Sequence, residues 1–187
     1  MAPPRRADDL HDGVTVWFTG LPSAGKTTVA RALEKRLLDE GHRVELLDGD
    51  VVRTHLTRGL GYDRADRAEN IHRIGFVAHL LSRNGVVVLC SVISPYRDVR
   101  EEIRALHDGR FFEVYVSAPV DVCAGRDVKG LYARQQAGEM SGLTGVDDPY
   151  EPPLSPEVIV PTHTQTIDES VETVWRALHS WTTRSTT

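Results

Sequence analysis

Cysteine is scarce. Cys90 and Cys123 are the only two in 187 residues, and neither belongs to a CxxC pair. Cys90 closes the apolar run VVVLC and reads as a buried, reduced core residue. Two such residues build no disulfide framework, so a hydrophobic core must hold the chain, and a reducing cytoplasmic setting fits. Long apolar runs are missing too. None approaches the roughly 20 residues that a membrane-spanning helix needs, and the opening MAPPRRADDLHDG lacks the apolar centre of a signal peptide. Positive charge is not in excess: 22 Lys and Arg stand against 27 Asp and Glu, a net charge of −5. That excludes a general nucleic-acid-binding surface and confines any anion site to a local cluster. Internal repeats and long low-complexity linkers are absent as well.

What remains is alternation. VTVWFT (Val14–Thr19) is β-branched, apolar and bounded by glycines, and predicts a buried strand. A helix follows from about Lys26 to Glu40, with Val29, Leu33 and Leu37 recurring and Gly41 as its stop. Arg43–Leu47, Gly85–Cys90, Phe111–Ser117 and Glu157–Val160 predict four more strands. Helices are predicted over Asp66–Arg83, Tyr96–Leu106 and Glu169–Trp181. Residues 1–13 and 182–187 read as tails, and residues 14–181 as one domain. Strands alternating with helices predict an α/β fold with a parallel sheet flanked by helices. Ligands of such sheets bind at the carboxyl ends of the strands, which directs attention to the segments after Thr19, Leu47, Cys90 and Ser117.

The first of these, GLPSAGKT (Gly20–Thr27), fits G-x-x-x-x-G-K-[ST]. The pattern alone arises by chance, but a strand before it and a helix after it are the context that supports a phosphate loop. Backbone N–H groups of Gly20, Ser23, Ala24, Gly25, Lys26, Thr27 and Thr28 are expected around the phosphates of ATP. Lys26 would reach the β- and γ-phosphates and Thr27 would ligate Mg²⁺. No NKxD motif is present, which argues against a GTPase, and the small size favours a small-molecule kinase with a P-loop NTPase-type sheet.

The second segment, LLDGDVVR (Leu46–Arg53), ends a strand on two carboxylates. Asp50 is the candidate to orient an acceptor hydroxyl and take its proton. Asp48 either reaches the metal or fixes the turn, and DGD also suits a turn with helix-capping aspartates. Arg53 and Arg67 suit an anionic acceptor through forked hydrogen bonds, or else belong to a solvated charged helix. Arg67 and Asn70 share a helix face. Ser94-Pro95 suits a helix N-cap followed by proline, and also puts a hydroxyl near the acceptor. Cys123–Pro153 is the longest irregular stretch, carries Arg126, Lys129 and Arg134, and is expected to form a lid.

GLPSAGKTT, LDGDVVR, DRAENIHR, ISPYR, RDVKGLYAR and TGVDDPYEPP occur in this order, and together they resemble the adenylylsulfate kinases over about Gly13 to Leu178. The resemblance implies transfer of the ATP γ-phosphoryl group to the 3′-hydroxyl of adenosine 5′-phosphosulfate (APS), giving PAPS. It implies Mg²⁺ dependence, a homodimer, and an ATP sulfurylase as functional partner. It assigns Asp50 to the acceptor side. Arg53, Arg67, Asn70, Ile93 and Ser94 become substrate-binding residues, Lys129 a lid contact, and Arg126 and Thr162 the border of the ATP adenine. A serine matching Ser94 is a suggested phosphoacceptor in some members, but direct in-line transfer suits a P-loop site better. Three positions depart from the family pattern. Leu143, after Gly142, stands where Phe is usual and removes a face that would stack on the substrate, a loss of about 1 kcal/mol. Tyr62 replaces a common Phe, and His72 a usual Arg. Leu143 and His72 bear on acceptor affinity and leave room for two other readings. One is a paralogue acting on another nucleotide or a specialised metabolite; the other is a silent nucleotide-binding partner in a sulfate-activating complex.

Overall fold

The computed structural model describes residues 10–183. Its centre is the strand β1 (Val14–Thr19), which is buried along its whole length. β1 carries no charge and alternates its side chains between two faces. Val14, Val16 and Phe18 enter one core, and Trp17 enters the other. Only a central strand of a doubly covered sheet can bury both sets. β1 duly pairs in parallel with β3 (Val87–Ser91) on one side and β4 (Phe111–Ser117) on the other. β2 (Val44–Asp48) and β5 (Val158–Pro161) complete a five-stranded sheet in the order β2-β3-β1-β4-β5, parallel throughout.

Helix α1 (Lys26–Asp39) places Val29, Leu33 and Leu37 in the first core, where they meet Val174 and Leu178 of α7 (Ile167–Thr183). Helix α3 (Arg64–Ser82) and helix α4 (Arg97–Leu106) cover the other face with Ile71, Ile74, Ala78 and Ile103. Trp17 is fully buried there, and its indole N–H finds the Ser94 hydroxyl at 3.0 Å, as a buried tryptophan must find some acceptor. α3 starts where Asp63 caps it, accepting from the Asp66 backbone at 2.8 Å.

The predicted strands and long helices are present, shifted by one or two residues at their ends. Three short helices go beyond the predicted elements: α2 (Gly49–His55), at which the capping aspartates of DGD hint, α5 (Val120–Arg126) and α6 (Leu131–Gln136). None is long enough to repeat an apolar stripe, so periodicity is silent about them. Local hydrogen bonds define them instead. Asp48 caps α2. Asp127 takes the Tyr132 and Ala133 backbone N–H groups at 3.1 and 3.0 Å and starts α6. The stretch Cys123–Pro153 is therefore part helical rather than irregular throughout. The expected N-cap at Ser94 is also corrected, since α4 begins after Tyr96 and Ser94 sits in a left-handed turn with φ +43°. Of the expected tails, residues 1–9 and 184–187 lie outside the described residues. Leu10–Asp12 form a 3₁₀ turn with Leu10 in the core, and Thr182 is buried at the end of α7.

Gly75 sets how closely α3 approaches α4. A Cβ there would meet Ile103 Cδ1 at 2.6 Å and Cγ2 at 2.8 Å, and Ile103 is itself buried. In an open helix, alanine would be the better residue by about 1 kcal/mol. Here Gly75→Ala is expected to lower unfolding free energy by about 1–3 kcal/mol in urea titration, because a stiff β-branched neighbour has nowhere to go.

Candidate active site

The carboxyl ends of β1, β2 and β3 open onto one cavity of about 710 Å³. The phosphate loop lines one half. Gly25 takes φ +100°, a left-handed conformation that glycine adopts without penalty, so the chain turns directly into α1. No side chain caps α1, which leaves its N-terminal N–H groups aimed into the loop. Lys26 is 8% exposed and donates to the Gly20 and Leu21 carbonyls at 2.9 and 2.7 Å. Burial above all draws its ammonium down to about 7; the charge of Lys129 adds to the fall, and Asp50 and Asp48 work against it. Arg126 and Thr162 close the far edge of this half. Thr162 Oγ1 donates to the Ala24 carbonyl at 2.6 Å, and Arg126 reaches the Thr162 carbonyl at 2.7 Å.

The two halves meet at Thr27. Its Oγ1 lies 3.0 Å from Asp48 Oδ2, to which it donates, and 2.9 Å from Ser91 Oγ. Asp48 Oδ1 accepts from the Asp50 backbone at 3.0 Å. Asp48 therefore caps α2 and at the same time stands beside the threonine. No sequence motif marks Ser91. It is the register partner of Asp48 across the β2–β3 ladder, so its place follows from strand pairing and not from any motif. Thr27, Asp48 and Ser91 offer hard oxygen donors, and no group of three or more His, Cys, Asp or Glu is found among the described residues. That set fits Mg²⁺, which binds through one or two protein oxygens, substrate phosphates and water rather than in an all-protein cage.

The acceptor half is cationic. Asp50 is largely exposed and pairs with Lys129 from the segment between α5 and α6. Arg53 donates to the Leu60 and Gly61 carbonyls at 3.3 and 3.2 Å, which holds its guanidinium 4.3 Å from the centre of the Tyr62 ring. The Arg67 guanidinium lies 5.7 Å from the same ring. Arg67 spends three of its five N–H donors on the Tyr62 carbonyl, the Gly142 carbonyl and Thr144 Oγ1, so it also ties α3 to the lid. Asn70 is buried, accepts from Thr57 Oγ1 at 2.8 Å, and lines the cavity with Ile93, Ser94, Gly142 and Leu143.

Two expectations change. His72 does not reach the cavity; it sits on the outer side of α3 against Glu102 at 2.7 Å, so its departure from the family pattern does not touch the acceptor. Leu143 borders the cavity, but only 3% of it is exposed and it packs into the first core. The Ser94 hydroxyl also differs from a poised nucleophile. The residue is 2% exposed, and its Oγ accepts from Trp17 and donates to Thr19 Oγ1 at 3.0 Å.

Comparison with known proteins bears on this site. The sequence profile of the family described as Adenylylsulphate kinase matches residues 12–161. The adenylyl-sulfate kinase of Rippkaea orientalis is 58% identical over 168 residues, covering 90% of this chain and 92% of that protein. The adenylyl-sulfate kinase of Halothermothrix orenii is 56% identical over 162 residues, 87% of each chain. Among solved structures, the Mycobacterium tuberculosis APS kinase in complex with AMPPNP and APS superposes with a TM-score of 0.86 at 42% identity, covering 90% of this chain and 98% of that one.

The depressed Lys26 sets a pH signature. With its value near 7, the free lysine is mostly neutral at pH 8, and a triphosphate facing it is expected to restore the ammonium. Binding of ATP at pH 8 is therefore expected to take up about one proton, read by calorimetry in buffers of different ionisation enthalpy. The uptake should shrink as pH falls below 7, where Lys26 already carries its proton. Binding at pH 8 without proton uptake would contradict the assignment.

Proposed function

The chain belongs to the adenylylsulphate kinase family, and on that premise we propose that it transfers the γ-phosphoryl group of ATP to the 3′-hydroxyl of APS, giving PAPS and ADP. One observation carries the reading. A single cavity joins a phosphate loop at Lys26 and Thr27 to a carboxylate, Asp50, flanked by Arg53 and Arg67. A carboxylate alone would serve any alcohol. The two guanidinium groups around Tyr62 suit a planar, anionic nucleotide.

The geometry supports a role for each lining residue in this reading. The loop amides and Lys26 hold the β- and γ-phosphates, and Arg126 with Thr162 borders the adenine end. Thr27, with Asp48 and Ser91, would hold Mg²⁺, which would supply positive charge to the phosphate oxygens. Arg53, Arg67 and Asn70 orient APS so that its 3′-oxygen lies in line with the γ-phosphorus. As the new P–O bond forms, the hydroxyl proton passes to the Asp50 carboxylate and the bond from the γ-phosphorus to the β–γ bridging oxygen breaks, releasing ADP. Lys129 already faces Asp50, where it suits the charge of an incoming anion. The lid segments around Lys129 and Gly142–Thr144 exclude water that would otherwise hydrolyse ATP. The engagement of the Ser94 hydroxyl with Trp17 and Thr19 supports direct transfer over a phosphoserine intermediate. The same reading includes a homodimer and an ATP sulfurylase supplying APS in the cytoplasm. No helix among the described residues is long and apolar enough to cross a membrane.

The test is an acceptor series of APS, AMP and adenosine at saturating ATP. APS is expected to lead AMP in kcat/KM by at least about tenfold, since one site is built for the larger anionic group. Arg53→Ala should raise the KM for APS by about 10–100-fold and leave that for ATP unchanged. Asp50→Ala should cut kcat by about 10²–10⁴ while ATP still binds. Turnover of another acceptor with no PAPS from APS would sink the reading in favour of a paralogue. An inactive wild type that binds ATP would favour a silent nucleotide-binding partner.

A further inference from the structure

Arg100 lies outside the cavity and touches none of the expected reacting groups, yet it is among the largest fully buried side chains, 1% exposed. Burying a guanidinium costs several kcal/mol unless every donor is used well. Its partners explain the location. Nε donates to Glu113 Oε1 of β4 at 2.9 Å. One terminal nitrogen donates to the Ser94 carbonyl at 2.6 Å, and the other to the Glu151 carbonyl at 2.6 Å. Ser94 lines the cavity, whereas Glu151 lies outside it. Ser94 follows Ile93 in the loop after β3 that lines the acceptor half, and its φ of +43° is strained for a residue with a Cβ. Glu151 ends the lid segment that carries Gly142–Thr144.

The surrounding bonds make one clamp. The Glu151 backbone donates to the Pro95 carbonyl at 2.9 Å, and its carboxylate accepts from the Arg97 backbone at 2.8 Å. The Tyr150 hydroxyl lies 2.9 Å from Thr19 Oγ1, which bonds the Ile93 carbonyl at 2.8 Å. Behind Arg100, Glu113 is shared with Arg104, and Arg104 is held in turn by Glu157. Burial pushes the Glu113 carboxyl up, and the two arginines pull it back.

We infer that Arg100 is a positioning residue for the acceptor. Its two carbonyl contacts hold the left-handed Ser94 turn against the end of the lid and so set the wall on which the acceptor nucleotide lies. The inference rests on the acceptor reading of this half of the cavity. A planar fork is required, because it reaches two carbonyls and a carboxylate at once, whereas an ammonium on a single stem reaches one of them well.

The test uses the full chain with Arg100→Lys, which keeps the charge beside Glu113, and with Arg100→Met/Glu113→Gln, which removes the buried pair and leaves Arg104 on Glu157. The double variant is expected to fold, since exchanging a buried ion pair for neutral groups of similar volume is often tolerated. Two measurements decide. Amide hydrogen exchange should quicken by about tenfold or more in residues 92–96 and 150–152 and stay unchanged in the phosphate loop, as a local opening does. The KM for APS should rise about tenfold, with the ATP KM held within about twofold. Unchanged exchange in those two segments, or APS and ATP KM values rising together, would overturn the inference. Exchange reads the clamp without any substrate. If wild-type protein makes no PAPS, the proposed reaction fails, while the exchange data still judge Arg100.

Discussion

Thr27 Oγ1 stands 3.0 Å from Asp48 Oδ2 and 2.9 Å from Ser91 Oγ, and this junction of α1, β2 and β3 fixes the donor half of the cavity against the acceptor half. It is possible only because β2 and β3 pair in a register that brings Asp48 and Ser91 side by side at their carboxyl ends. The same Asp48 carboxylate caps α2 and so aims Asp50 and Arg53. A slip of one residue in that ladder would turn Asp48 to the other face and take the cap, the junction and the acceptor groups with it. Sheet register is thus the quantity that the chemistry depends on. The uncharged, fully buried β1 secures it by anchoring the sheet in both cores.

Charge is the second constraint. The chain is net negative, so its cations have to be concentrated where an anion is wanted. Lys26, Arg53, Arg67, Arg126 and Lys129 all border one cavity. Their partners differ by role. Lys26 is buried and loses much of its hold on a proton, so a phosphate must supply the charge balance. Arg53 and Arg67 are braced by backbone carbonyls and the Tyr62 ring. Arg100 is buried for bracing alone, with Glu113 as its counter-charge.

Much of this was legible in the chain itself, for identifiable reasons. The phosphate loop is a local code: glycines, lysine and threonine at fixed spacing between a strand and a helix. β1 and α1 announce themselves by composition and periodicity. The short helices α2, α5 and α6 do not, since six or seven residues leave no room for a stripe, and only the capping aspartates Asp48 and Asp127 hint at them. Ser91 and Arg100 were invisible because their partners lie far along the chain, at Thr27 for the first and at Glu113 and Glu151 for the second. Side-chain direction was equally hidden. His72 lies two residues after Asn70 on the same helix yet faces the outside, and Leu143 at the lid packs inward. Substitutions at those two positions therefore weigh less on the acceptor than motif comparison implies.

In the proposed reaction a single cavity couples ATP cleavage to a nucleotide hydroxyl and keeps water out. The most direct measurement follows ADP, inorganic phosphate and PAPS together in a single time course with ATP, Mg²⁺ and APS. ADP and PAPS should appear one for one with inorganic phosphate at background. ADP accompanied by inorganic phosphate, with APS left unchanged, would contradict it.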